Sequence, residues 1–195
     1  GVPTSVLQLV IGGKDIGNEL TKMHNLSGVA FTGSTGAAKA INLNLAKSEG
    51  SIKTLIAETG GQNAMFVDSS SLKEQVIDDV VKSAFYSAGQ RCSALRVVFV
   101  QKDVADEYWD YLREAMQEIK VGDPKDPSTD IGPIINKTSL AKLKDHVARL
   151  KKQGKEHIET VGTLNDDSLF LNPIAFKIDS IKEIDGEKFG PVLHF

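Results

Sequence analysis

The single cysteine, Cys92, is the residue whose type and position best suit a nucleophile. It follows a Gly89-Gln90-Arg91 turn at the end of an amphipathic helical pattern, and it precedes an apolar run, 95–100, that is typical of a strand. A thiol in a helix-to-strand loop can be reached by a ligand, and its thiolate is the reactive form. By composition alone, however, a lone cysteine is more often a small buried apolar residue. The sequence context favours the nucleophile without excluding that alternative.

Two carboxylates also stand at turns. Glu58 ends an apolar strand-like run and precedes Thr59-Gly60-Gly61, where another backbone segment can approach closely. Glu187 precedes Lys188-Phe189-Gly190-Pro191 in a similar setting. A carboxylate in such a place can serve as a general base, or it can simply end a strand in solvent. The residue type and position do not decide between these two interpretations.

A third candidate is the turn Gly33-Ser34-Thr35-Gly36, which lies between a strand-like run and a helical pattern. Backbone N–H groups at the start of a helix can hold a phosphate. The turn matches neither the G-x-G-x-x-G fingerprint nor a Walker loop, so by itself it is a weak indicator of nucleotide binding. The four histidines lack metal-ligand spacing, and we expect two of them, His146 and His157, to be solvated.

The elements that must position these residues begin with alternating strands and helices. We expect strands over 5–11, 28–32 and 53–57, with helices over 15–23 and 37–48; Asp15 or the residue before it would cap the first helix. Strands separated by crossover helices predict a parallel sheet. The pattern restarts after Gly60-Gly61, which we take as the boundary between two α/β units.

The second part of the sequence repeats this alternation with longer helices. A strand over 63–67 precedes a helix whose apolar residues recur every four positions, and Ser71 to Glu74 resembles a capping box at its start. We expect a strand over 95–101, a helix capped by Asp103, and a proline-containing surface connection over 121–133. Further apolar positions predict a helix around 140–150 with a solvated basic end, 151–155, then β segments around 159–161 and 169–178 and a final strand.

Composition excludes several classes of function. The chain has 195 residues, a formal charge of -3 and 41 % hydrophobic residues, which describes an ordinary globular protein and not an electrostatic nucleic-acid binder. No apolar run approaches the roughly 18 residues of a membrane span. One cysteine permits no internal disulfide, so we expect a cytoplasmic location. The chain lacks an initiator methionine and ends in an apolar strand-like segment, which we interpret as a piece of a longer protein.

Four motifs in order carry a family resemblance. They are Phe31 to Gly36, Glu58 to Gly61, Gly89 to Cys92, and Glu187 to Pro191, with 34 positions between Glu58 and Cys92. This series resembles the aldehyde dehydrogenase superfamily. The amino-acid sequence around Glu58 and Cys92 is more narrowly similar to the 1-pyrroline-5-carboxylate (L-glutamate γ-semialdehyde) dehydrogenase module of bifunctional proline utilisation proteins. The resemblance implies an α/β fold: residues 1–60 as the C-terminal half of a Rossmann-like NAD-binding domain, and 61–195 as a truncated catalytic domain.

The resemblance also implies a task for each motif residue. Cys92 would add to the aldehyde, and Glu58 would activate the water that hydrolyses the resulting thioester. Gly33 and Ser34 would contact the pyrophosphate of NAD, while Glu187 would hold the nicotinamide ribose with Phe189 beside the nicotinamide. Ser93 would contact a substrate carboxylate. The partners implied are a small aldehyde and, for the longer protein, further copies in a homo-oligomer; from composition we expect this segment to bind no nucleic acid and to contain no membrane span.

Other parts of the family's active site lie outside this stretch of sequence. The asparagine that donates to the oxyanion lies upstream in the family, and the loop that binds the substrate carboxylate lies downstream. Because losing one oxyanion donor costs about 10²–10³ in rate, we expect negligible turnover by this chain alone. Three alternatives remain: transfer of the acyl group to coenzyme A, against which Glu58 argues; a cysteine hydrolase, which needs a nearby histidine; and a non-catalytic segment.

Overall fold

The computed structural model describes residues 1–162 and 169–195, and the chain divides into two compact units, residues 1–60 and 61–195. In the first unit, helix α1 spans Lys14–Lys22, strand β1 Gly28–Thr32, helix α2 Thr35–Lys47 and strand β2 Thr54–Glu58. β1 and β2 pair in parallel, which confirms the parallel arrangement expected from the alternating pattern.

The predicted strand over 5–11 is wrong. Residues 1–13 contain only a short turn, and the apolar side chains of Leu7, Leu9 and Ile11 are 70 %, 85 % and 88 % exposed. A strand needs a hydrogen-bonded neighbour, and no strand of the described residues pairs with this segment. The apolar composition was therefore a poor guide to its structure.

The second unit contains a five-stranded sheet in the order β3-β4-β7-β6-β5. Its elements in chain order are β3 Ala64–Val67, α3 Lys73–Phe85, β4 Val97–Val100, α4 Ala105–Gln117, α5 Lys137–Lys152, β5 His157–Glu159, β6 Ile174–Phe176 and β7 Val192–His194. β5 pairs antiparallel with β6, and the other neighbours pair in parallel. Thus the element types predicted for this part of the chain are confirmed.

The core of the second unit lies between this sheet and its helices. α4 buries Tyr108, Trp109, Leu112 and Met116, whereas Tyr111 on the same helix is 36 % exposed. The connection after α4 is irregular as expected, although its Ile131 is fully buried. The fold therefore anchors this long surface segment to the core through Ile131, with the partly buried Val121 also packed against the core.

The predicted helix caps are wrong. The Ser71 hydroxyl donates to the Asp68 carbonyl oxygen at 2.6 Å and contacts the Tyr108 hydroxyl at 2.7 Å, so it is not available to the N-terminus of α3. Asp103 lies outside α4, which begins without a side-chain cap, and Gly13 takes the N-cap position of α1 in place of Asp15. For Ser71, a turn contact and a tertiary contact thus replace the predicted cap.

The predictions of solvation at the α5 end of the unit are confirmed for Lys151 and Lys152 but wrong for His146 and Lys155. His146 is only 3 % exposed because it follows Leu143 by three residues and lies on the same buried face of α5. The Lys155 ammonium, with 17 % of its side chain exposed, pairs with Asp179 at 2.5 Å and Glu183 at 2.8 Å. His157, by contrast, is exposed as predicted.

Candidate active site

In the first unit, Glu58 and the Gly33-Ser34 turn lie side by side at one edge of the sheet. β1 and β2 are in register so that Thr32 pairs with Glu58, and the Gly33 N–H donates to the Glu58 carbonyl oxygen at 3.0 Å. The Glu58 side chain is exposed there. The carboxyl ends of parallel strands are where α/β folds bind ligands. The fold thus brings together two of the predicted motifs.

The N-terminus of α2 has the features of an anion site. Ser34 is its N-cap, and the Ser34 Oγ accepts a hydrogen bond from the Ala37 N–H at 3.2 Å. The remaining N–H groups of the first turn and the helix dipole place partial positive charge at this end. Since α2 has no acidic residue in its first turn, nothing on the helix opposes a bound phosphate there.

A cavity of about 840 Å³ opens beside this helix end, within the first unit. α1, β1 and α2 supply its mainly apolar lining, which includes Phe31, Ser34 and Ile41. Its volume lies within the range of about 300–1,000 Å³ that is usual for ligand sites. An apolar cleft with a helix N-terminus at its rim fits a ligand that joins a flat apolar ring to phosphate.

In the second unit, Cys92 lies exposed on the loop between α3 and β4. This loop begins with three consecutive residues in left-handed backbone conformation: Ser87 at φ 58°, Ala88 at φ 53° and Gly89 at φ 62°. Side-chain-bearing residues pay about 1–2 kcal/mol each for this conformation. The tertiary structure must therefore hold the loop in place.

Asn63, immediately before β3, binds the C-terminal part of the loop that carries Cys92. Its side-chain amide donates to the carbonyl oxygens of Cys92 at 2.7 Å and Ala94 at 2.9 Å. The backbone carbonyl oxygen of Asn63 accepts hydrogen bonds from the backbone N–H groups of Arg96 and Val97. One residue thus fixes both the nucleophile loop and the start of β4.

Arg96, a residue of the core, binds the part of the same loop that precedes Cys92. Its guanidinium is fully buried and donates to the carbonyl oxygens of Gly89 at 2.7 Å and Arg91 at 3.1 Å. It also pairs with the Glu187 carboxylate at 3.3 Å and lies over the Phe189 ring, 5.4 Å from its centroid. Burial lowers the pKa of Arg96, and the Glu187 carboxylate opposes that shift.

The structure brings Glu187 and Phe189 together at Arg96, which also bonds to the loop that carries Cys92. Glu187 and Phe189 lie on the loop before β7, and Arg96 joins this loop to the one that carries Cys92. Ser93 is exposed and lines a separate cavity of about 480 Å³. Glu58, Gly33 and Ser34 belong to the first unit.

The buried histidines are committed to a hydrogen-bonded chain. Since arginine only donates, Arg149 donates to His146 Nδ1 at 3.0 Å; His146 Nε2 then donates to His194 Nε2 at 2.9 Å, and His194 Nδ1 donates to the Arg96 carbonyl oxygen at 3.0 Å. Burial lowers the pKa of His146 to about 3 and that of His194 to about 4, so both rings are neutral at pH 7. Within the described residues no histidine hydrogen-bonds to the Cys92 thiol, which disfavours a cysteine hydrolase.

Residues 1–162 and 169–195 contain no group of three or more His, Cys, Asp or Glu side chains that could hold a metal ion. No helix among these residues is long and apolar enough to cross a membrane.

Sequence reasoning missed Asn63 and Arg96 as functional residues. Arg96 carried a usable signal, because a charged residue within the apolar run 95–100 must find partners when the strand is buried. Asn63 carried a weaker one: it stands at the start of a strand next to a Gly-Gly turn. Neither position reveals its partners; for Arg96, two of the four acceptors, Glu187 and Gly190, lie 91 and 94 residues away.

Comparisons with known proteins agree with these motifs. The sequence profile described as "Aldehyde dehydrogenase family" matches residues 1–195. The bifunctional protein PutA of Klebsiella aerogenes is 44 % identical over the whole chain, which spans 16 % of that protein's length. A 1-pyrroline-5-carboxylate dehydrogenase of Geobacillus is 33 % identical, and the chain spans 39 % of its length.

A solved structure matches the fold closely. The crystal structure of a D779W mutant of Bradyrhizobium japonicum proline utilization A superposes with a TM-score of 0.94 and 46 % identity, covering the whole of this chain and 20 % of that one. The α/β fold is therefore aldehyde dehydrogenase-like, as the motifs predicted. The family is generally NAD(P)-dependent. Its profile covers every residue of this sequence, and the chain belongs to the aldehyde dehydrogenase family.

Proposed function

We propose that this chain supplies the nucleophile, the base and part of the cofactor site for NAD-dependent oxidation of L-glutamate γ-semialdehyde to L-glutamate, within a longer polypeptide. The observation that carries the proposal is the exposed Cys92 thiol on a loop whose backbone carbonyl groups are hydrogen-bonded by both Asn63 and Arg96. The loop of Glu187 and Phe189 is tied to the same guanidinium. A solvent-facing thiol on a tightly held loop is what covalent catalysis requires.

The residues act in sequence. The Cys92 thiolate adds to the aldehyde carbon to give a thiohemiacetal, and loss of hydride from that carbon leaves a thioester on Cys92. Glu58 then takes a proton from water, which attacks the thioester and releases the acid with return of the thiol. Glu58 is suited to this task because it is exposed at a ligand-binding edge of its sheet. Hydrolysis by Glu58 also distinguishes this reaction from acyl transfer to coenzyme A.

The first unit fits the cofactor. NAD, when bound, supplies the acceptor for the hydride. The cavity of about 840 Å³ has room for a flat ring between α1 and α2, and the Ser34 end of α2 lies at its rim for the pyrophosphate. In the second unit, Glu187 would accept from the nicotinamide ribose hydroxyls, with the 42 % exposed Phe189 ring beside the nicotinamide.

The substrate assignment is supported by the amino-acid sequence of the motifs around Glu58 and Cys92. It is also supported by the names of the relatives, a PutA protein and a 1-pyrroline-5-carboxylate dehydrogenase. Ser93, next to the nucleophile, is exposed and could hydrogen-bond to the carboxylate of the semialdehyde. Because the chain spans only 16–39 % of these relatives, we expect the isolated chain to lack turnover.

A chimera tests the proposal. The Klebsiella aerogenes PutA segment that aligns with this chain is replaced by it, and NADH production from L-glutamate γ-semialdehyde is followed. We expect turnover by the chimera and none by its Cys92→Ser variant. The Glu58→Gln variant should give one burst of NADH per site and then stall, with an acylated Cys92 visible by mass spectrometry.

The matched control is Glu74→Gln, which alters an exposed glutamate on α3 and should leave turnover unchanged. Undiminished activity after Cys92→Ser would refute the nucleophile. Steady turnover by Glu58→Gln would refute the base, and acid release that depends on added coenzyme A would support the acyl-transferring alternative.

A further inference from the structure

Arg96 contacts two loops that the motifs assign to different tasks. The nucleophile loop, residues 87–93, receives hydrogen bonds from the Arg96 guanidinium at the carbonyl oxygens of Gly89 and Arg91. The ribose loop, residues 186–191, receives them at the Gly190 carbonyl oxygen, 3.3 Å away, and at Glu187 Oε1. These contacts tie two segments almost 100 residues apart in sequence to one planar group.

The placement is costly for stability. A buried charge loses its hydration, and an arginine pair of this kind is often no more stable than apolar side chains of similar volume. The Arg96 side chain is fully buried, its only carboxylate partner among the described residues is Glu187, and its Nε has no hydrogen-bond partner there. An apolar residue would suit the run 95–100 better. What arginine adds is directional geometry, because its donors lie in a fixed fork.

The backbone of the two loops is in direct contact as well. A Cβ added at Gly89 would come closer than 3.0 Å to the Gly190 carbonyl oxygen, so only glycine fits. Arg96 bonds to the carbonyl groups of both of these glycines. Any shift of one loop must therefore move the guanidinium or the other loop.

Glu187 is held through only one of its two carboxylate oxygens among the described residues. Its Oε1 accepts from Arg96, and no hydrogen bond to its Oε2 occurs among the described residues. One carboxylate oxygen is thus held in place while the other is free to accept from a ligand hydroxyl. The carboxylate is 22 % exposed, so solvent or a ligand can reach it.

We propose that Arg96 is a positioning residue, which fixes the Cys92 loop relative to Glu187 and orients Glu187 toward the cofactor ribose. The orientation toward ribose rests on the proposed function, whereas the coupling of the two loops does not. Misplacing reacting groups by about 1 Å can cost on the order of 10² in rate. A residue that sets their separation therefore matters without touching substrate.

Hydrogen exchange of the 195-residue chain tests the coupling. The reporters are the hydrogen-bonded amides of Gln90 in the nucleophile loop, of Ala94 directly after it, where the amide donates to the Arg91 carbonyl oxygen, and of Gly190 in the ribose loop. We expect Glu187→Gln to accelerate exchange in both loops by about tenfold, the effect of weakening one charge-assisted hydrogen bond. The Glu74→Gln control should accelerate neither.

A double-mutant cycle decides whether the coupling passes through Arg96. Arg96→Lys should accelerate both loops, and adding Glu187→Gln to it should have little further effect. Acceleration confined to the ribose loop in Glu187→Gln, or additive effects in the double variant, would overturn the proposal. Because Glu187 is partly exposed, its single variant still tests the coupling of the two loops even if Arg96→Lys does not fold.

Kinetics of the PutA chimera test the catalytic consequence. Arg96→Lys should lower kcat by about 10–100-fold and raise KM for NAD in the fraction that remains folded, and Arg96→Met should be worse than Arg96→Lys. A purely structural effect would reduce the amount of active enzyme and leave KM for NAD unchanged, which would overturn the assignment. An inactive parent chimera would count against the proposed function while leaving the exchange results intact.

Discussion

The contact between Gly89 and Gly190 allows a worked prediction of stability. Gly89→Ala places a Cβ in left-handed backbone at φ 62°, which costs about 1–2 kcal/mol. The same Cβ meets the carbonyl oxygens of Gly190, at less than 3.0 Å, and Ala84, at 2.8 Å. Both are backbone atoms that cannot rotate away, so overpacking adds about 1–3 kcal/mol. The expected total is about 2–5 kcal/mol.

Gly154→Ala is the matched control. Gly154 follows α5 at φ 73° in the same unit, and an added Cβ there meets nothing within 4 Å. This variant therefore carries the conformational cost alone, about 1–2 kcal/mol, and the difference between the two variants isolates the contact between the loops.

Urea unfolding monitored by tryptophan fluorescence measures both. Trp109 is the only tryptophan and is 1 % exposed in the core of this unit. With a slope of about 2 kcal/mol per molar urea, Gly89→Ala should unfold about 0.5–1.5 M below Gly154→Ala. Equal midpoints would refute the close approach of the two loops and, with it, the reason why position 89 requires glycine.

Three further predictions concern residues outside that contact. The pKa of both buried histidines is lower in the folded chain than the unfolded value of 6.5, so the unfolded state binds more protons below pH 6.5. The free energy of unfolding should fall by about 2 kcal/mol per histidine between pH 7 and pH 5, and His146→Gln should remove about half of the resulting fall in the urea midpoint. Asn63→Asp replaces an amide donor by a carboxylate that faces two carbonyl oxygens, and it should lower the free energy of unfolding by about 1–3 kcal/mol at pH 7. Asn63→Ala should be less destabilising, and the reverse order would contradict the assigned donor. Ser34→Ala should destabilise the start of α2 by about 1 kcal/mol, seen as faster amide exchange at Ala37 that Ser34→Asp restores; unchanged exchange would exclude the cap.

Much of the secondary structure could be predicted because it depends on local patterns. The apolar period of α5 and the short apolar runs of β1 and β2 are properties of neighbouring residues. Their predicted positions agree with the structure to within a few residues. The motifs also indicated the family, since their order and spacing are sequence properties.

The candidate site shows where local patterns stop. Sequence selected Cys92, Glu58, Ser34 and Glu187, but it gave no sign that Asn63 and Arg96 hold the Cys92 loop. The failed strand over 5–11 and the failed cap at Ser71 have the same origin. In each case the outcome depended on contacts distant in sequence: no strand among the described residues pairs with residues 5–11, and the Ser71 hydroxyl contacts that of Tyr108.

The sequence by itself determined which residues can do chemistry and which elements carry them, because residue type and periodicity are local. Only the tertiary structure decided that the nucleophile loop takes a left-handed turn and shares a buried guanidinium with the ribose loop. A buried cation must find its acceptors wherever the fold brings them. For Arg96 those acceptors are the backbone of both loops and the carboxylate of Glu187, and their meeting is a property of the fold alone.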